Sequence, residues 1–127
     1  MDGYPGAANS AGWGMIFSRG DDRAGLDPIF LGVRPEGDVW FHVEGSEGGV
    51  DLTVNLPLFN WFQVVGTLDA TNGEMNFYTN GVRVASTVTA IRPLKNLDPT
   101  IPGGVGIGNY GGAPASSFNM PFNGLID

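Results

Sequence analysis

The chain has 127 residues, a formal net charge of −7 and no cysteine. This length fits one folded domain over residues 1–127, which can bury a core without help from a disulfide or a metal. The missing cysteine excludes thiol nucleophiles, thiolate zinc sites and disulfides from this chain. Six Lys and Arg against 13 Asp and Glu cannot form the cationic surface that nucleic acids require, so no nucleic-acid partner is expected.

Membrane insertion is not expected from this sequence. No stretch approaches the roughly 20 consecutive apolar residues that a membrane-spanning helix needs. The first residues, MDGYPGAANS, also lack the basic and apolar regions of a signal peptide.

The apolar residues alternate or form short runs, and 21 Gly and nine Pro separate these runs. No stretch keeps the spacing of an amphipathic helix over ten or more residues. The pattern predicts an all-β fold, a sandwich or a barrel, built from short antiparallel strands. The nine predicted strands are Gly14 to Ser18, Pro28 to Val33, Val39 to Glu44, Val50 to Val54, Trp61 to Asp69, Glu74 to Asn80, Val82 to Thr89, Val105 to Asn109 and Phe122 to Ile126.

A hairpin is predicted over residues 29–43, with its turn at Arg34-Pro35-Glu36-Gly37. Alternate side chains of a strand point to opposite faces, so this register places all the apolar odd-numbered residues on one face, which must be core. These residues are Ile29, Leu31, Val33, Val39, Phe41 and Val43.

The opposite face of this hairpin carries the residues Phe30, Trp40 and His42, with Gly32 across from Trp40. Because glycine has no side chain, no bulky cross-strand neighbour covers the indole in this register. The sequence therefore predicts that the indole of Trp40 points away from the core and is left uncovered.

A second hairpin is predicted at Asn80-Gly81, which lies between two alternating runs. Both residues tolerate a positive φ, as a two-residue type I′ turn requires.

The run NWFQVVGTLDATNGEMNFYTNGVRVAST, which starts at Asn60, resembles laminin-G-like, concanavalin A-like jelly-roll domains. The segments MIFSRGD, VGIGNYGG and FNGLID are similar to other parts of that family, in the same order along the chain. The resemblance covers roughly Met15 to Asp127.

The resemblance implies an antiparallel two-sheet jelly-roll sandwich that often binds glycans or other extracellular ligands and sometimes holds calcium at its rim. It also implies an extracellular or cell-surface location and a buried position for Trp61. A fold of this kind hosts several functions, so function has to be argued from the site.

Two departures from the family pattern concern the ends of the domain. In the family, further residues of a last strand follow the closing Gly-Leu-Ile-Asp, and a hydrophobic strand precedes the position of Gly14. The terminal strands are therefore expected to be missing here or supplied by another chain. Open sheet edges invite strand addition, so a homo-oligomer is also expected.

The first functional hypothesis is a non-catalytic module that binds a neutral glycan or another extracellular ligand. Aromatic faces stack on the apolar C–H patches of sugar rings, so Trp40 is the expected platform. Phe30, Gly32 and His42 flank it, and the acidic net charge disfavours sulfated or phosphorylated glycans. The alternative, from a different class, is a structural domain that assembles through its open edges.

A calcium site is a further hypothesis, because calcium prefers carboxylate, amide and carbonyl oxygens in loops. The candidate ligands are Asp21, Asp22, Asp69 and Asp127. For Asp69, capping of its own turn is the competing interpretation.

Enzymatic activity is not expected. His42 is the single histidine, and no G-x-S-x-G motif accompanies it. The nearest match to a glucanase motif with paired carboxylates is Glu36-Gly37-Asp38, but the third carboxylate is replaced by an aromatic residue. A relic of a glucanase-like glycoside hydrolase is therefore the least favoured hypothesis, and solvated turn acids are the default interpretation of Glu36 and Asp38.

Overall fold

The computed structural model describes residues 12–20, 29–57, 59–93, 96–100, 104–110 and 120–127. Within these residues the chain forms eight strands and no helix. In chain order they are β1 (Gly14–Gly20), β2 (Ile29–Val33), β3 (Asp38–Gly45), β4 (Gly48–Asn55), β5 (Val64–Leu68), β6 (Glu74–Thr79), β7 (Val82–Val88) and β8 (Gly104–Ile107).

The strands form two antiparallel sheets that pack face to face. The five-stranded sheet has the order β4-β3-β2-β1-β8, and the three-stranded sheet has the order β5-β6-β7. This architecture confirms the predicted all-β, two-sheet sandwich. Nothing helical in the described part of the chain is long or apolar enough to cross a membrane.

The predicted register of the first hairpin is confirmed. Ile29 pairs with Val43, Leu31 with Phe41 and Val33 with Val39. Their shared face packs against Met75 and Phe77 of the three-stranded sheet and forms the main core. Burial of this face is the main stabilising contribution to the sandwich, because each large apolar side chain removed from water contributes roughly 1.5–3 kcal/mol.

The second hairpin also has the predicted turn. Thr79 pairs with Val82 on either side of Asn80 and Gly81, whose φ angles are 48° and 78°. Both lie in the left-handed region that a type I′ turn uses.

Two of the predicted strands differ clearly from the structure. β5 begins at Val64 instead of Trp61, and residues 122–126 form no strand. Within the described residues, the closing segment forms an isolated bridge between Pro121 and Met15, and its backbone hydrogen bonds run from Met15 N to Met120 O and from Phe122 N to Gly108 O. Its Leu125 is consequently exposed.

An open groove runs along the β5 side of the sandwich, because the three-stranded sheet covers only part of the five-stranded one. Its volume is about 620 Å³. Core residues such as Leu31 and Val33 form its floor, and Phe59, Trp61 and Leu125 line its rim.

The groove explains why the expected burial of Trp61 is wrong. This side chain precedes β5 and is 66% exposed, and the neighbouring Phe59 is 70% exposed. Phe59 also has a φ of 63°, a left-handed conformation that non-glycine residues adopt at a cost of about 1 kcal/mol.

Candidate functional site

The outer face of the five-stranded sheet, which points away from the three-stranded sheet, carries the predicted site residues. One cross-strand row runs through Ser18, Phe30, His42 and Asp51. The next row runs through Met15, Gly32, Trp40 and Thr53. Since neighbouring side chains on one face lie about 5 Å apart, the two rows form one continuous surface.

Trp40 lies on this outer face, as its register predicted, but it is only 7% exposed, so the expectation of an uncovered indole is wrong. Strand β1 pairs with the far side of β2 and brings Met15 into the row of Trp40. Trp13, which precedes β1, packs edge-on against Trp40 with the ring centroids 5.0 Å apart. The space that Gly32 leaves is therefore filled.

Two other predicted ligand-binding residues are also covered. Phe30 is buried together with Met15, Trp40 and Tyr110 in a second apolar cluster. Gly32 is buried as well, and a Cβ there would lie 2.7 Å from the carbonyl oxygen of Gly14. Neither residue presents a surface to a ligand, so of the four predicted residues only His42 reaches solvent, with a side chain that is 14% exposed.

A single carboxylate oxygen connects the two rows. Asp51 Oδ1 accepts a hydrogen bond of 2.8 Å from Trp40 Nε1 and one of 2.5 Å from His42 Nδ1. Because a carboxylate oxygen can only accept, His42 Nδ1 must carry a proton in this arrangement. Asp51 therefore fixes both the indole and the imidazole.

The imidazole is held on its other sides as well. Its Nε2 lies 3.5 Å from Glu44 Oε2, and its ring is nearly parallel to the ring of Phe30. It also packs against Gly49, where a Cβ would lie 2.5 Å from the imidazole Cε1. We refer to Trp13, Phe30, Trp40, His42, Glu44 and Asp51 as the outer-face cluster.

Three members of the outer-face cluster were missed by the sequence interpretation: Trp13, Glu44 and Asp51. Glu44 follows Trp40 and His42 at a spacing of two along β3, so alternation alone places it on their face. Asp51 needed the register of the β3–β4 hairpin, where it lies opposite His42. Trp13 could be placed only by the pairing of β1.

The suggested glucanase-like acids do not form a catalytic pair. Asp38 is buried and receives two hydrogen bonds from Arg34, of 2.6 and 2.9 Å, so its default assignment as a solvated turn acid is wrong. These bonds hold the pKa of Asp38 below its ordinary value despite burial. A general acid needs the opposite shift. Glu36 stays exposed in the turn.

The proposed calcium ligands do not converge in the described residues. Asp69 follows the last residue of β5, whereas Asp127 lines the groove, as does Val64, the first residue of β5. Asp21 and Asp22 lie outside the described residues. No group of three His, Asp or Glu side chains in the described ranges could hold a metal ion.

Asp69 instead caps its own turn, as the competing interpretation predicted. Its Oδ1 accepts a hydrogen bond of 2.7 Å from the backbone N–H of Thr71. This hydrogen bond also lowers the pKa of the Asp69 carboxyl.

Fold and site together define a two-sheet β-sandwich whose larger sheet carries aromatic and acidic side chains on its outer face. A laminin G model described as the concanavalin A-like lectin/glucanases superfamily matches residues 4–127, and the chain belongs to this superfamily. No curated protein and no solved structure matches the chain. Membership fits a lectin-type or adhesion-type module and suggests an extracellular setting.

Proposed function

We propose that this domain is a non-catalytic binding module that holds a neutral glycan at the outer-face cluster in an extracellular setting. The observation that carries the proposal is the fixed Trp40–Asp51–His42 arrangement, in which one carboxylate oxygen accepts both ring N–H groups. Side chains that are held in place before binding lose little conformational entropy when a ligand arrives.

Polar atoms at the edge of the cluster are suited to sugar hydroxyls. The Asp51 side chain is 46% exposed, and no described residue donates to its Oδ2. Glu44 adds a second carboxylate on the same face. Both accept hydrogen bonds from hydroxyl groups, and hydrogen bonds to charged acceptors contribute about 1.5–3 kcal/mol each.

The aromatic part of the site differs from the one that the sequence predicted. Trp40 supports the cluster from below, and the half-buried Trp13 packs against it on the outer face. Trp13 is therefore the ring on which a sugar would stack. A single shallow site of this kind binds with modest affinity and works best when several copies act together.

The same residues favour binding over hydrolysis. Glycoside hydrolysis with retention requires two carboxyl groups about 5 Å apart, one of them with a raised pKa. In the outer-face cluster, the imidazole of His42 stands between Asp51 and Glu44 and contacts both.

Replacing Trp13 with alanine is expected to weaken glycan binding about tenfold, which corresponds to about 1.4 kcal/mol, because the stacking surface is lost. Affinity electrophoresis in gels that contain neutral soluble polysaccharides measures the effect. Trp61→Ala is the matched control, since Trp61 is exposed on the other side of the sandwich. Unchanged binding in Trp13→Ala, or loss of binding in Trp61→Ala, would contradict the proposed site.

A second candidate function is self-assembly by strand addition at the edge of β5, which pairs with β6 and with no other strand of the described residues. The specific observation is that this edge adjoins the open groove, with Phe59 and Trp61 exposed at the rim. Exposed apolar surface beside an unpaired edge is typical of sites where another strand docks.

Assembly through the β5 edge predicts oligomers at micromolar concentrations that dissociate on dilution. The double variant Phe59→Ser/Trp61→Ser is expected to shift this equilibrium towards monomer, because it removes the apolar rim. Sedimentation velocity over a dilution series measures both effects. A wild-type protein that stays monomeric throughout would rule out this function.

A further inference from the structure

The larger sheet is two strands wider than the smaller one, with five strands against three. On one side of the sandwich, β7 packs against β4. The ring of Phe41 on β3 contacts Phe77 of β6 and packs against Gly66 of β5. The smaller sheet therefore covers the half of the larger sheet that contains β4 and β3, and β1 and β8 extend beyond it on the β5 side.

The inner face of this extension is apolar and exposed. Phe17 pairs with Leu31 on one side and with Ile107 on the other, and directly opposed residues share a face, so all three point inward. We define the shelf as the inward-pointing residues of β1 and β8, which are Phe17, Arg19, Val105 and Ile107. Val105 is 63% exposed and Ile107 is 72% exposed. In a complete sandwich, side chains at such positions pack against the opposite sheet.

The shelf continues into the rim of the groove. A Cβ on Gly108, which follows β8, would lie 3.9 Å from Ile126 Cδ1, and Ile126 lines the groove. Six apolar side chains of the shelf and the rim are between 43% and 75% exposed: Phe59, Trp61, Val105, Ile107, Leu125 and Ile126. Since a large aromatic side chain has roughly 150–250 Å² of surface and an aliphatic one less, the six present roughly 700 Å². This area approaches the roughly 800 Å² that each partner buries in a stable complex.

The strand edges on the shelf side lack the charges that discourage pairing. β5 (VVGTL) and β8 (GVGI) each pair on one side only within the described residues, and neither contains a charged residue or a proline. The edge strands on the opposite side each carry a charge, Asp51 in β4 and Arg83 in β7. Natural proteins use such charges to keep sheet edges from pairing. The edges of β5 and β8 are therefore the two that are suited to pairing with another chain.

We infer that two copies of this chain form a closed dimer, in which the shelf of each copy covers the shelf of the other and the β8 edge of each copy pairs with the β5 edge of the other. Each layer of the dimer then consists of the five-stranded sheet of one copy and the three-stranded sheet of the other. The fit follows from the strand numbers, because the two strands that each copy leaves uncovered are matched by the two that the other copy supplies. Both copies use the same surface, so the assembly closes at two.

This inference rests on the second candidate function, which requires only that another strand docks at the β5 edge. It goes beyond that function by naming β8 as the docking strand, the shelf as the buried surface and two as the number of copies.

The substitution Ile107→Lys tests the shelf. Because Ile107 is exposed in the single chain, the fold is expected to be retained, which circular dichroism checks. In the dimer the introduced ammonium group would be buried without a partner, once in each copy. We expect the Kd of dimerisation to rise about a hundredfold or more, as measured by sedimentation velocity over a dilution series. Val88→Lys is the matched control, because Val88 is 74% exposed on β7, on the opposite side of the sandwich.

Cross-linking tests which edges pair. The chain has no cysteine, so an introduced cysteine is its only thiol. In the dimer, Thr67 on β5 of one copy lies on the strand next to Val105 on β8 of the other, whereas the two copies of Thr67 lie in different layers. A mixture of Thr67→Cys and Val105→Cys chains is therefore expected to give a mixed product with a short bis-maleimide, and Thr67→Cys alone is expected to give none. Intact mass spectrometry identifies the products.

The outcomes separate the inference from the function on which it rests. A dimer that withstands Ile107→Lys, weakens equally in Val88→Lys or cross-links through Thr67→Cys alone would overturn the inference and leave assembly at the β5 edge standing. Oligomers that grow beyond two copies would do the same. A wild-type protein that stays monomeric would overturn both. In such a monomer, binding of the dye anilinonaphthalene sulfonate that is lost in Ile107→Lys would assign the shelf to a different apolar partner.

Discussion

Trp40→Ala is expected to lower the free energy of unfolding by about 3–5 kcal/mol, the usual cost of removing a large buried aromatic side chain. Trp40 is 7% exposed, contacts Trp13 and Phe30, and donates a hydrogen bond to Asp51. Its removal therefore leaves a cavity in the second apolar cluster and one fewer donor on Asp51. Urea unfolding followed by circular dichroism measures the change.

Trp61→Ala provides the comparison for this prediction, because the same substitution is made at a side chain that is 66% exposed. We expect the free energy of unfolding to change by less than about 1 kcal/mol, as is usual for surface substitutions. The sequence pattern led to the opposite expectation for both residues. A large loss at Trp61 together with a small one at Trp40 would contradict the packing described above.

The second large effect is expected at Gly73, in the turn between β5 and β6. Its φ of 80° lies in the left-handed region, and a Cβ there would collide with the carbonyl oxygen of Thr89. Gly73 O also accepts a hydrogen bond of 3.0 Å from Thr89 N. Arg92 further links this turn to the residue that follows β7, because it donates hydrogen bonds to the carbonyls of Ala70 and Thr89.

We expect Gly73→Ala to cost about 3 kcal/mol or more, because backbone strain and a collision with a backbone atom act together. Gly81→Ala separates the two contributions. Gly81 has a similar φ of 78°, but a Cβ there would meet no atom within 4 Å. This control should cost only about 1 kcal/mol. Equal losses in the two variants, measured by thermal unfolding, would exclude the collision.

Short sequence patterns were sufficient to predict the two hairpins, in which the paired strands are consecutive in the chain. The register from Ile29 to Val43 follows from alternation and one turn, and the turn at Asn80 and Gly81 follows from their tolerance of positive φ. In each case the residues that determine the geometry are close in the chain. The family resemblance then extended these local elements to a two-sheet sandwich, which the structure confirms.

The candidate site could be predicted only in part. Trp40 and His42 were placed on the correct face, because side-chain direction in a strand depends on register alone. Their burial could not be predicted in this way, because it depends on which distant segment of the chain covers that face. β1 reaches this face because it pairs with β2, and alternation within β2 or β3 does not reveal that pairing.

By itself, the sequence determined the fold class, the inner face of the first hairpin and the acidic character of the chain. Only the tertiary structure decided that Trp13 covers Trp40, that Asp51 links Trp40 to His42, and that Trp61 is exposed beside a groove. The physical reason is that the direction of a side chain is a local property of the backbone. Its exposure and its partners depend on strands that are far apart in the chain.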